Sequence, residues 1–121
     1  MPLQLDTREK DLAMFFKDWQ IESLRYLWSI HPEGANSRAV YQNVNKTLED
    51  SISRASVINY LNAMVDDGML DYTETTGKGG HHRVYTIAYT ETEFKRRIAE
   101  LVIIKLLREY PQEAGKALQQ L

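Results

Sequence analysis

Cysteine is missing from all 121 residues. Its absence excludes disulfides, thiolate zinc sites and cysteine nucleophiles. Long apolar runs are missing too. The greasiest stretch, LVIIKLL (Leu101 to Leu107), carries Lys105 and falls far short of the roughly 20 residues that span a bilayer. The opening residues, MPLQLDTREKDL, hold no apolar core of a secretion signal. Positive charge is not in excess, since 15 Lys and Arg stand against 17 Asp and Glu for a net charge of -2. That argues weakly against a nucleic-acid binder, although the distribution of charge matters more than its sum. No acid–base pair, nucleophile motif or phosphate loop occurs, so neither enzymatic activity nor a cofactor is expected. The expectation is a soluble cytoplasmic protein with no membrane segment.

What is present is a chain that can fold. Hydrophobic residues make up 43%, enough for a core and too many for disorder. The length suits one small domain with an added helix. Residues 1–18 read as a loose arm followed by a short helix over DLAMFFKD, whose adjacent Phe15 and Phe16 cannot both hide in one narrow stripe. A first helix is expected from about Trp19 to His31, with Ile21, Leu24, Leu27 and Trp28 on one face. Pro32 and Gly34 end it. Asn36 or Ser37 can cap a second helix, striped by Val40, Val44 and Leu48.

Ser53 can cap a third helix. Its apolar side is Val57, Leu61, Met64 and Val65. Gly68 follows as a left-handed stop. MLDYTET and HRVYTIAY then read as strands around the turn TGKGG. Leu70, Tyr72, Tyr85 and Ile87 are expected to alternate toward the core. Thr90 and Glu93 fit a capping box. A long helix from about Thr92 to Tyr110 follows, closed by Pro111, with a short amphipathic tail after it.

Three short helices and a glycine-tipped hairpin describe a winged helix. The expected fold is therefore mainly α with a small β-hairpin wing: a winged helix-turn-helix over residues 19–89, and a C-terminal dimerisation helix and tail over residues 90–121. With the core stripe on Leu61, the opposite face of the third helix carries Ser56, Asn59 and Ala63, flanked by Ala55 and Tyr60. Small and hydrogen-bonding groups let a helix enter a major groove closely. The same face is also what any solvated helix would show. Lys78, His81, His82 and Arg83 gather at the hairpin tip, as a wing along phosphates requires. The expected DNA-contacting set is Ser37, Arg38, Ser53, Arg54, Ala55, Ser56, Asn59, Tyr60, Lys78, His82 and Arg83. No metal is expected, because adjacent histidines on a strand point to opposite faces and no third ligand is spaced for closure.

One feature opposes DNA. From Gly34 to Ala88 the bases are Arg38, Lys46, Arg54, Lys78 and Arg83, and the acids are Glu49, Asp50, Asp66, Asp67, Asp71 and Glu74. The acids cluster at helix ends away from the proposed reading face. The long helix is apolar around most of its wheel, which is more than a surface helix needs. Phe94, Ile98, Leu101, Val102, Ile104, Leu106 and Leu107 are its expected dimer contacts, isologous in a two-fold dimer.

LRYLW, SRAVYQNV, SVINYLNAMVDDGMLDY and RVYTIAYTETEF together resemble the penicillinase-repressor (BlaI/MecI) family, over about Trp19 to Leu107. The resemblance implies a winged-helix homodimer that binds a palindromic operator. MarR-type and PadR-type regulators share the architecture. The family often has two threonines early in its reading helix, where Ala55 and Ser56 stand here. Some members are cleaved at an Asn-Phe pair, and copper-responsive relatives use a cysteine cluster. Neither feature occurs in this chain, so the inducing signal or effector is not given. The reading is a homodimeric regulator of double-stranded DNA, most simply a repressor. The rival is a winged-helix protein-interaction module without DNA binding.

Overall fold

The computed structural model describes residues 3–48, 51–77 and 80–121. It divides into two compact units, Met1–Thr90 and Glu91–Leu121. In the first unit a 3-10 helix (Asp11–Met14) precedes α1 (Asp18–Ser29), α2 (Ser37–Thr47), α3 (Arg54–Asp66) and a hairpin of β1 (Asp71–Gly77) and β2 (Gly80–Thr86). The second unit holds α4 (Glu91–Glu109) and α5 (Pro111–Gln120). Most elements match the expectation, with ends displaced by one or two residues. β2 stops three residues before the expected Tyr89, and the first short helix is a 3-10 helix that ends at Met14, four residues before the expected Asp18.

Each helix of the first unit follows from local chemistry. Asn36, not Ser37, caps α2: its side chain accepts from the Ala39 amide at 2.8 Å. Ser53 caps α3 by accepting from the Ser56 amide at 3.1 Å. Such caps satisfy amides that the first helical turn leaves free. Gly68 stops the helix at φ +76°. Asn45 fixes the turn between α2 and α3. It donates to the Ile52 carbonyl at 3.1 Å and accepts from the Ile52 amide at 2.7 Å.

The core is the meeting of three stripes. Leu24 and Leu27 of α1, Val40 and Val44 of α2, and Val57, Leu61 and Met64 of α3 are sealed from solvent. α2 packs against both α1 and α3. Truncating one such leucine to alanine typically costs about 2–5 kcal/mol. Phe16 joins the core while Phe15 stays half-buried, so the pair divides between core and surface as their adjacency demands. The one buried polar side chain among the described residues, Ser23, donates to the Trp19 carbonyl at 2.8 Å.

The hairpin is antiparallel, in the register Asp71↔Thr86, Tyr72↔Tyr85 and Glu74↔Arg83, out to Gly77↔Gly80. Its inner strand is anchored by a bridge to the loop before α2. Ala35 donates to the Tyr85 carbonyl at 3.0 Å, and Tyr85 returns the bond at 2.8 Å. Leu70, Tyr85 and Ile87 are buried as expected. Tyr72 is not: it is 37% exposed. It shares a face with Tyr85, but β1 has no neighbour beyond β2 and every residue in it is exposed.

In the second unit, α4 carries ion pairs of the helical i,i+3 and i,i+4 kind, among them Lys95–Glu91 at 2.8 Å and Lys105–Glu109 at 2.7 Å. Phe94 and Ile98 are buried, and exposure grows toward its C-terminus. Pro111 opens α5, which buries none of its residues.

Candidate nucleic-acid interface

α3 presents two sides. Val57, Leu61 and Met64 fill the core, and Ser53, Arg54, Ala55 and Asn59 are exposed on the other side. Ser56 is half-buried, and its hydroxyl lies 2.9 Å from that of Ser53. Both serines therefore already use part of their hydrogen-bonding capacity in the cap. At the start of α2, Arg38 is exposed and Ser37 half-buried.

Tyr60 is a correction. Placed at the edge of the exposed face by its wheel position, it is 4% exposed. Its ring meets Trp19 edge-on at 5.3 Å between centroids and Phe16 at 6.3 Å. The chain before α2 thus supplies an aromatic wall that widens the buried stripe of α3. Burial pushes the Tyr60 hydroxyl far up its titration range, and its oxygen has no hydrogen-bond partner among the described residues. It belongs to the core and is not available to a groove.

The wing is only partly open to view. Lys78 lies outside the described residues, so its expected place at the tip is not described. His82 and Arg83 are half-buried. The Arg83 guanidinium sits 4.0 Å above the Tyr72 ring centroid, a cation–π contact. It also donates to Oδ1 of Asn62 at 3.1 Å. Tyr85 donates its hydroxyl to the same oxygen at 2.5 Å. Asn62 therefore joins α3 to the hairpin. Sequence reasoning missed it, because its partners stand 21 and 23 residues further on. Asn45 was missed too, although its partner Ile52 stands only seven residues on, because the bond crosses from α2 to the far side of the turn.

Among the described residues no group of three or more His, Asp or Glu side chains is placed to hold a metal ion. No helix among them is long and apolar enough to cross a membrane.

No family model matches the chain, and none of the curated proteins compared with it matches either. Solved structures do. The ORC1 protein of Aeropyrum pernix, solved in complex with DNA, aligns with a TM-score of 0.57 at 10% identity, over 70% of this chain and 24% of its own. This chain thus spans about a quarter of that protein's length. A candidate transcriptional regulator from Methanosarcina mazei Go1 gives 0.55 at 12% identity, over 87% of this chain and 78% of its own. Another, TA0346 from Thermoplasma acidophilum, gives 0.51 at 18%, over 75% and 92%. The chain has the winged-helix fold. At such identities the likeness establishes the fold alone, and function has to be argued from the surface.

Within a winged helix, α2 and α3 are the helix-turn-helix pair and β1–β2 is the wing. Of the expected DNA-contacting residues, Arg38, Ser53, Arg54, Ala55 and Asn59 are exposed, and Ser37, Ser56, His82 and Arg83 half-buried. Of the expected dimer contacts, Phe94 and Ile98 are fully buried within the chain, so they are not available to a second copy. An apolar wheel does not say which part of a helix its own chain covers. Leu101 and Val102 are half-buried, while Ile104, Leu106 and Leu107 are exposed.

Proposed function

We propose that this chain is a sequence-specific, double-stranded-DNA-binding transcriptional regulator, acting as a homodimeric repressor on a palindromic operator. The observation that carries this reading is the exposed side of α3. Its side chains are short and hydrogen-bonding, with Arg54 at its first turn and Arg38 at the start of α2. The major groove admits an α-helix, and short outer side chains let its backbone approach closely. Asn59 can address an adenine edge, and Ala55 a thymine methyl. Arg38, Arg54 and the wing basic residues suit phosphates. The resemblance to penicillinase repressors supports the same reading, as does the company of structures with this fold.

The dimer rests on α4. Ile103, Leu106, Leu107 and Tyr110 are exposed and recur at three- and four-residue steps, so they share one face. A second copy of the same helix is the occupant that a two-fold operator requires.

Selection from a random double-stranded DNA pool tests the function. The expected result is an inverted repeat. Failure to enrich any sequence would favour a protein-interaction module. That rival is motivated by the acids Asp66, Asp71 and Glu74, which are exposed beside this face.

A further inference from the structure

Asn62 lies three residues after the exposed Asn59, on the same side of α3. Its amide orientation is decided by chemistry. A guanidinium can only donate, so the atom accepting from Arg83 is the amide's carbonyl oxygen. Tyr85 donates to that oxygen too. Burial, partly opposed by Arg83, raises the titration of the Tyr85 hydroxyl and keeps it a donor. Two donors occupy the two lone pairs of the carbonyl. Arg83 is itself held from its other side by the Tyr72 ring. Three wing residues therefore fix one side chain of the reading helix.

The opposite end of the amide is free. Nδ2 of Asn62 makes no bond within the described chain, and the only buried side-chain nitrogen or oxygen there without a partner is Tyr60 Oη. Nδ2 is therefore open to solvent. A free asparagine reads adenine with both ends of its amide, accepting from N6 and donating to N7. Asn62 has lost the accepting end to the wing.

We propose that Asn62 is a donor-only base reader, set by the wing to select a keto base, guanine or thymine, at one position of each half-site. The inference rests on the DNA-binding reading above. Guanine offers two acceptors, O6 and N7, and thymine offers O4; adenine offers one acceptor, N7, beside an N6 donor that Asn62 can no longer satisfy, and cytosine offers only a donor at N4. Asn59, whose amide makes no bond to the described residues of the wing, reads its own position independently. Wing and helix then act together: the wing positions itself along the backbone and also dictates which half of an amide the groove meets.

The test is selection from random DNA with the full-length protein, Asn62→Asp and Asn62→Ala, each checked for folding by circular dichroism melting. In Asn62→Asp one carboxylate oxygen still accepts from Arg83 and Tyr85, and the other turns an acceptor to the groove. The keto preference of the wild type should switch at one position to cytosine or adenine, whose amino groups donate. In Asn62→Ala that position should become indifferent, with affinity for the wild-type site down about fivefold, the loss of one net hydrogen bond. Should both variants keep the wild-type preference while binding every sequence more weakly, Asn62 only carries the wing and the proposal is overturned. A wild type that enriches no sequence would instead overturn the DNA-binding reading itself, and this is seen before either variant is compared.

Discussion

Gly34 has φ +75°, and a methyl group built on it would lie 2.5 Å from the Tyr85 carbonyl oxygen and 2.6 Å from Thr86 Cγ2. Gly68 has almost the same φ, +76°, with nothing within 4 Å. Alanine separates the two demands. At Gly68 it should cost only the left-handed backbone, roughly 1–2 kcal/mol. At Gly34 it should cost that and also disturb the Ala35–Tyr85 bridge, whose two hydrogen bonds are worth about 0.5–1.5 kcal/mol each. Urea melts of the two variants should therefore differ by about 1–3 kcal/mol, with Gly34→Ala the less stable. Equal losses would mean that the loop before α2 moves aside without resisting. Single residues were legible where their partners are near in sequence. The cap at Ser53 and the stop at Gly68 are of this kind. Tyr60 was misplaced because Phe16 and Trp19, which cover it, lie some forty positions earlier. Asn62 drew no notice because a polar side chain on a helix looks the same whether it faces water or a tyrosine from a distant strand.

At the scale of elements, periodicity identified the three core stripes, because each needs only its own spacing to be recognised. It failed where coverage depends on neighbours. Alternation placed Tyr72 inward, but β1 is an exposed outer strand and the Arg83 guanidinium stacked on the Tyr72 ring leaves it 37% exposed. The apolar wheel of α4 suggested one continuous dimer seam, yet Phe94 and Ile98 are buried in the single chain while Ile103, Leu106 and Leu107 remain exposed. A second copy is therefore expected on the C-terminal half of the helix. Lys105–Glu109 beside it is an exposed pair and adds little to association. Ile103→Glu combined with Leu107→Glu replaces two large side chains on that face. Losing their burial, at about 1.5–3 kcal/mol each, should weaken the dimer at least about 100-fold. Sedimentation equilibrium should show wild-type dimers at micromolar concentration and monomers for the double variant. The melting of the first unit should not change, because both positions lie in the second. A wild type that sediments as a monomer would remove the seam altogether.

At the scale of the whole molecule, the proposed DNA recognition would have to work with few positive charges. Arg38 and Arg54 are exposed on the described surface and Arg83 is half-buried in the wing. Six such contacts from a dimer would give a logarithmic salt slope near about −5, since each neutralised phosphate contributes roughly −0.9. Acids oppose any looser attachment: Asp66 is exposed at the far end of α3 and Asp71 and Glu74 along β1. A helix sliding deeper along its axis would bring Asp66 toward the backbone, so entry by the Ser53 end is favoured. Non-specific binding by one subunit should then be weak, and specific binding should need both subunits at once. Two-fold symmetry requires inverted half-sites whose centres are about 10 base pairs apart, or a multiple of that, so that both fall on one side of the duplex. Inserting five base pairs turns one half-site to the opposite side. Gel-shift titrations across a spacer series should show affinity collapsing toward the non-specific level at the five-pair insertion and recovering at ten. The Ile103→Glu, Leu107→Glu protein should show no spacer dependence, because its subunits are no longer joined. Equal affinity of the wild type at every spacing would mean that each subunit binds independently, and recognition by a two-fold dimer would have to be abandoned.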